Sequence, residues 1–277
     1  MSPPKYDEIG YWSEIKLEII SKYATAYSRI MAATPLIKSH LYIDAFAGAG
    51  KHLSKESGQI VSGSPLNALQ VSPPFHGFHF IDLDCGKADE LRRLTSGRPD
   101  VLVHEGDCNK VLLKEIFPRC NFKDYHRALC LLDPYNINVD WEVLQKAGNM
   151  GSIEIFYNFM IMDANMNVFW RNPNKVQPSQ IERMNRAWGD HSWRDVAYRK
   201  EPGLFGEIEE KEGNREVVEA FRKRLEGVAG FKYVPEPLPM RNSRGTVIYY
   251  LFFASPNRIG SRIVQDIFTK YRSTGVN

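Results

Sequence analysis

Five short apolar runs, separated by helical stretches, limit what this chain can fold into more than any other feature of its sequence. They cover residues 41–46, 77–82, 101–105, 128–132 and 152–160. Each is apolar on both faces, as a strand must be when helices cover its sheet from both sides. The segments between them, 66–71, 87–95, 109–116 and 141–147, follow a helical period instead. This alternation predicts a mostly parallel sheet in a Rossmann-like, doubly wound α/β fold. The strands that end in Asp44 and Asp133 are expected side by side, where the strand order reverses.

The flanking segments complete the reading. Residues 12–33 form an amphipathic pattern with Ile15, Ile19, Tyr23 and Ala26 on one face, ended by Pro35. Ser64 and Pro65 read as an N-cap and first helical residue. After residue 160 the alternation stops. Residues 165–212 are polar, contain Trp170, Trp188 and Trp193, and read as a strandless helical insertion over the carboxyl edge. A helix at 215–228, an antiparallel hairpin from 232–234 and 247–253, and a closing helix at 259–271 follow. Residues 1–277 are thus expected to form one domain, with 1–35 as its N-terminal helical segment and 165–212 as a cap over the substrate.

In an open parallel sheet, ligands bind beyond the carboxyl ends of the strands. Here those ends carry Asp44, then Asp82 and Asp84, then Asp107, then Asp133-Pro134-Tyr135. An ionised carboxylate needs partners, so acids in register along one edge are poorly explained by packing. Gly48 and Gly50, in the turn Asp44-Ala45-Phe46-Ala47-Gly48-Ala49-Gly50, let the backbone bend sharply and approach a ligand. Asp82, with Leu83 beside it, is placed to accept ribose hydroxyls. Asp107 is placed to accept from an adenine amino group, with the Cys108 amide near the ring. Together they describe a site for an adenosine-containing ligand without a clear phosphate cradle. Gly50-Lys51 does not make a Walker motif, because positions 45 and 52 are Ala and His; Leu53 breaks the dinucleotide fingerprint. The alternative for Asp44 and Asp107 is that they cap turns or helices.

Composition narrows the class. Hydrophobic residues make up 43% and charged residues 25%, ordinary for a soluble enzyme. The longest apolar runs, 153–161 and 247–254, are strand-sized, and the first ten residues lack a leader pattern. A cytoplasmic protein without membrane contact is expected. Cys85, Cys108, Cys120 and Cys130 show no paired spacing, so no metal site is expected. The net charge of +3 does not argue for nucleic acid, but its distribution is segregated. Arg171, Lys175, Arg183, Arg186, Arg194, Arg199 and Lys200 crowd the insertion, and Arg241, Arg244, Arg258, Arg262, Lys270 and Arg272 the tail. Either a phosphate-facing surface or a solvated face has this pattern.

These residues resemble the class I S-adenosylmethionine-dependent methyltransferases. Tyr42-Ile43-Asp44 through Gly50 resembles the first motif of that superfamily, Phe80-Ile81-Asp82-Leu83-Asp84 the second, Glu105-Gly106-Asp107-Cys108 the third, and Leu132-Asp133-Pro134-Tyr135 the fourth. Trp12 and Lys16, Gly63-Ser64-Pro65-Leu66, Trp188-Gly189-Asp190, Trp193-Arg194 and Tyr250-Leu251-Phe252-Phe253-Ala254-Ser255 resemble the three-Cys-motif partner protein family, across nearly the whole chain. The resemblance implies S-adenosylmethionine as cofactor, held by Asp44, Ala45, Phe46, Gly48, Gly50, Asp82, Leu83, Asp107 and Cys108, with Lys16 either reaching its carboxylate or lying at the surface. It also implies a partner protein that carries three cysteines. Asp133, Pro134 and Tyr135 would then serve transfer to an exocyclic amino group of an RNA or DNA base. The single proline departs from the two prolines usual in adenine-amino enzymes and is closer to a variant of RNA guanine enzymes. A non-catalytic scaffold, or an enzyme acting on a protein or small molecule, is the alternative.

Overall fold

The computed structural model describes residues 6–203 and 206–273. The chain opens with β1 (Asp7–Ile9) and α1 (Tyr11–Ala32), and β2 (Ser39–Asp44) begins the central sheet. A small hairpin, β3 (Lys51–Ser54) and β4 (Ile60–Ser62), precedes α2 (Ser64–Ala68). Then β5 (Gly77–Asp82), α3 (Cys85–Leu94), β6 (Val101–Glu105) and α4 (Cys108–Val111) alternate. The alternation continues through β7 (His126–Leu132), α5 (Trp141–Met150) and β8 (Ile153–Phe159). The insertion holds α6 (Ile161–Asn167), α7 (Pro178–Trp188), α8 (Trp193–Ala197), β9 (Tyr198–Gly203) and β10 (Gly206–Lys211). The chain finishes with α9 (Asn214–Gly227), β11 (Leu238–Arg241), β12 (Val247–Ala254) and α10 (Arg258–Ser273).

Seven strands form the central sheet in the order β11-β12-β8-β7-β2-β5-β6. β2 pairs in parallel with both β5 and β7, β7 with β8, and β5 with β6. β12 runs antiparallel to β8. The chain builds outward from β2 through β5 to β6, then returns to the other side of β2 at β7. That reversal puts the ends of the Asp44 and Asp133 strands next to each other, as the sequence predicts.

Strand alternation divides the core into two layers. Ile43, Ile81, Cys130 and Ile155 face a layer with residues of α4, α5 and α9, while Tyr42, Phe80, Leu129 and Phe156 face one with residues of α1, α3 and α10. Each such buried Leu, Ile or Phe contributes about 1.5–3 kcal/mol. Trp188 and Trp193 lie in the first of these layers together with the strands, so the insertion shares the sheet's core. Trp170 is half-exposed.

Three local expectations are corrected. The insertion contains the antiparallel hairpin β9–β10, whose alternating charges Lys200, Glu201, Glu209 and Glu210 hide it from a hydrophobic-period reading; residues 204–205 lie outside the described residues. The partner of β12 is Leu238–Arg241, not 232–234, from which Tyr233 makes a single bridge to Ser255. Ser64 does not cap α2: Gly63 takes that position and Ser64 is the first helical residue, turned toward Asp44. No described helix is long and apolar enough to cross a membrane.

Candidate functional site

The carboxyl edge of the sheet carries two adjoining cavities. The turn after β2 bends at Gly48 and Gly50, with φ of +63° and +80°. The two glycines serve different ends. A Cβ at Gly50 would lie 2.9 Å from Leu91, so this residue lets the turn pack on α3, and it lines neither cavity. Gly48 lines the second cavity, and its amide donates to Asp82 Oδ2 at 2.8 Å. The Asp84 amide donates to Asp82 Oδ1 at 2.9 Å. Asp82 thereby ties two strand-end loops together, and each carboxylate oxygen keeps a lone pair for a ligand.

The first cavity holds about 480 Å³ and is walled by Ala45, Phe46, Asp82, Leu83, Asp107 and Cys108, among others. Leu83 is 75% exposed at its mouth. Asp107 caps α4 by accepting from the Lys110 amide at 3.0 Å, and Asp84 caps α3 by accepting from the Lys87 amide at 3.0 Å. Capping and facing the cavity are therefore both true of Asp107.

The second cavity holds about 220 Å³, around Lys16, Asp133, Pro134, Asn158 and Tyr249. Phe46 and Tyr135 line both cavities and stand between them. The ammonium group of Lys16, which α1 carries in, donates to one Asp133 oxygen, and the Asn158 amide donates to the other. Burial pulls Lys16 toward neutrality, but Asp133 and Tyr249 outweigh it and hold it above its ordinary value. Lys16 is therefore a buried lysine paired with Asp133 and not a surface one.

Asp44 is fully buried. One of its oxygens accepts from the Phe46 amide at 3.2 Å, and the other has no partner. Burial pushes its carboxyl up to about 7, against the pull of Ser64 and the Phe46 amide. Tyr135 is 71% exposed, and its hydroxyl donates to Asp7 at 3.0 Å. Asp7 also pairs with Lys87 at 2.6 Å, whose ammonium group lies 5.6 Å from the centre of the Tyr135 ring. Burial works against Asp7, yet Lys87 and Tyr135 hold it below its ordinary value. β1, paired in parallel with β3, thus fixes the tip of Tyr135 from outside the main sheet.

Sequence reasoning missed Asn158 and Tyr249, as well as Asp7, Lys87 and His52. Asn158 sits near the end of β8, the one strand whose end it left without a polar residue, and Tyr249 enters from the antiparallel β12. The insertion's charge is also less available than its sequence suggests. Arg183 pairs with Asp163, Arg186 with Asp140, Arg194 with Glu209, and Arg199 with Glu201, Glu210 and Glu212. Arg171 and Lys175 are exposed. Arg258 and Arg262 begin α10 just beyond Ala254, which pairs with Ile155 at the opposite edge of the sheet.

No family model and no curated protein sequence matches the chain. Among solved structures it is similar to the Legionella pneumophila protein LPL1258, with a TM-score of 0.55 at 9% identity over 95% of this chain and 91% of that one. A putative S-adenosylmethionine-dependent methyltransferase from Listeria monocytogenes is more loosely similar, with a TM-score of 0.41 at 10% identity over 86% of this chain and 100% of that one. The putative methyltransferase yhhF from Escherichia coli gives a TM-score of 0.37 at 11% identity, over 85% and 87% of the two chains. The Legionella likeness is one of fold.

Proposed function

We propose that this chain is an S-adenosylmethionine-dependent methyltransferase that acts on an exocyclic amino nitrogen of a nucleic-acid base. One observation carries the reading: at one sheet edge Asp82 and Asp107 line one of two adjoining cavities and Asp133 lines the other, while Asp44 is buried at the end of β2 and lines neither. The donor set fits the cofactor. Asp44 is assigned to the ammonium group: one of its oxygens has no partner, and a cation brought against it would offset the burial that holds the carboxyl up. Asp82 suits the two hydroxyls of a ribose, and Leu83, Asp107 and Cys108 suit a flat base with an amino group. Bound there, S-adenosylmethionine supplies an electrophilic methyl group.

The protein's own residues supply position and polarity. An exocyclic amine is a poor nucleophile because its lone pair is delocalised into the ring. The Asp133 carboxylate and the Pro134 carbonyl, accepting its hydrogens, favour a pyramidal nitrogen. Placement at close range then contributes much of the rate. The exposed Tyr135 ring offers a base a stacking surface worth about 1–3 kcal/mol. Residues 165–212 are assigned to the acceptor side, although none of them lines either cavity; Met160, just before α6, lines the second, and α6 carries the exposed Met166. The resemblance to the three-Cys-motif partner family adds a cysteine-bearing partner protein to this reading.

A second reading, a scaffold without catalysis, draws on the pairing of both Asp133 oxygens with Lys16 and Asn158. Labelled methyl transfer to total RNA, to DNA and to the partner protein separates the two. Label in RNA or DNA is expected. Cofactor binding without transfer to any of them would favour the scaffold.

A further inference from the structure

The second cavity contains polar groups that nothing so far uses. Asn158 lies near the end of β8 and Tyr249 near the start of β12, on neighbouring strands. Both reach the cavity wall from the α1 side of the sheet. Asn158 is 1% exposed and Tyr249 7%. The Asn158 amide nitrogen is committed to Asp133, which leaves its carbonyl oxygen as the free end. That oxygen is buried and has no partner, and the same holds for the Tyr249 hydroxyl. Buried groups of this kind are normally satisfied, so two of them beside one carboxylate in one cavity point to a ligand that completes them.

We propose that Asn158 and Tyr249 read the edge of the methyl acceptor, Asn158 sharing with Asp133 the amino N–H that the Pro134 carbonyl does not accept, and Tyr249 donating to the ring nitrogen beside the amino-bearing carbon. The inference rests on the proposed function and narrows its substrate. Asp133, Pro134 and Asn158 offer acceptors, and Tyr249 offers a donor. An amino group next to an unprotonated ring nitrogen complements that order. Adenine and cytosine present this edge, and guanine presents it through its amino group and the adjacent ring nitrogen. Uracil and thymine present a carbonyl beside an N–H, which is the reverse, and are rejected. Burial holds the Tyr249 hydroxyl up at about 12, so it remains a donor at neutral pH. Asn158 and Tyr249 are buried in the cavity wall, so only a base whose pairing edge is free can reach them, from a single strand or flipped out of a duplex. Asn158 has a second task, fixing Asp133 against Lys16, and so acts partly as a positioning residue.

The test uses the full chain with labelled S-adenosylmethionine and short RNA and DNA oligonucleotides that present one unpaired adenine, cytosine or guanine. The base that takes label is then compared with its deaza counterpart, in which the ring nitrogen beside the amino-bearing carbon is C–H. Tyr249→Phe is expected to raise both KM and the Kd of the natural oligonucleotide, measured by anisotropy with S-adenosylhomocysteine present, by about 10- to 100-fold. The deaza oligonucleotide is expected to cost the unaltered protein a similar factor and to be nearly indifferent to Tyr249→Phe, within about 2-fold. Asn158→Ala is expected to lower kcat as well as raise KM, since it also releases Asp133. Equal losses on natural and deaza oligonucleotides, or none on either, would overturn the assignment and leave the proposed function standing. Label on no oligonucleotide would overturn the acceptor class itself.

Discussion

The two cavities differ in how they are built, although they share Phe46 and Tyr135. The first is made by loops that each follow their own strand. Asp82 ends β5 and Asp107 follows β6 after Gly106, and both carboxylates also organise local backbone, through the Gly48, Asp84 and Lys110 amides. The second is assembled from α1, β7, β8 and β12, which are far apart in the chain. Its carboxylate, Asp133, makes no such local bond but is held by Lys16 and Asn158. A site built from local turns is a matter of short motifs, whereas one built from side chains of distant elements exists only once the sheet is formed. The first suits a constant ligand and the second a particular one.

Substitutions in the two cavities should separate binding from transfer. The largest effect is expected from Asp133→Asn, which keeps the shape but leaves Lys16 without its counter-charge. Labelled transfer should fall about 100-fold or more, with cofactor affinity little changed. Near-normal turnover would remove Asp133 from the chemistry. Asp133→Ala adds a stability cost of about 3–5 kcal/mol, visible in urea unfolding, because a buried ammonium group is left unpaired. In the first cavity, Asp82→Ala should weaken S-adenosylmethionine binding by about 1–3 kcal/mol in calorimetry, and unchanged affinity would refute the ribose assignment.

A pH measurement sharpens the contrast further. Burial raises both Asp44, at the site, and Glu154, in the core beside Tyr23, to about 7. The unfolded chain gives up these protons near the ordinary value of about 4, earlier than the native state does. The native state therefore binds more protons between these limits, and stability falls as pH rises from about 4 to about 7, with no further change from these groups above that. Asp44→Asn should flatten part of this slope in urea titrations at a series of pH values. A slope the same in the variant would mean that Asp44 is ionised in the native state. The smallest expected effect concerns salt. With Arg183, Arg186, Arg194 and Arg199 in ion pairs, the insertion has fewer cations to offer phosphates, so log Kd for a single-stranded oligonucleotide should change with log salt by a slope of about 2 or less. A steep slope would show that these pairs open on binding.

The same division explains what the sequence makes legible. The acids at the ends of β2, β5, β6 and β7 follow apolar runs directly, and the fold follows from that alternation. The role of Gly50 is less visible, because a glycine that turns toward a ligand and one that packs on Leu91 look alike in sequence. Lys16 sits on the expected helix, but its pairing with Asp133 spans 117 residues. Asn158 and Tyr249 were hidden for a similar reason. Each lies in an apolar strand, and only the pairing of β12 against β8 brings them to one cavity. The hairpin β9–β10 gives no apolar alternation because its side chains are largely charged, and Arg199 pairs across it with Glu210.

Calorimetric titration of S-adenosylhomocysteine into the unaltered chain, Asp82→Ala and Asp133→Asn tests the central claim most directly. One bound ligand per chain is expected, weakened about 10- to 100-fold by Asp82→Ala and changed by less than about 3-fold by Asp133→Asn. No binding to the unaltered chain, or a loss of affinity in Asp133→Asn with none in Asp82→Ala, would contradict it.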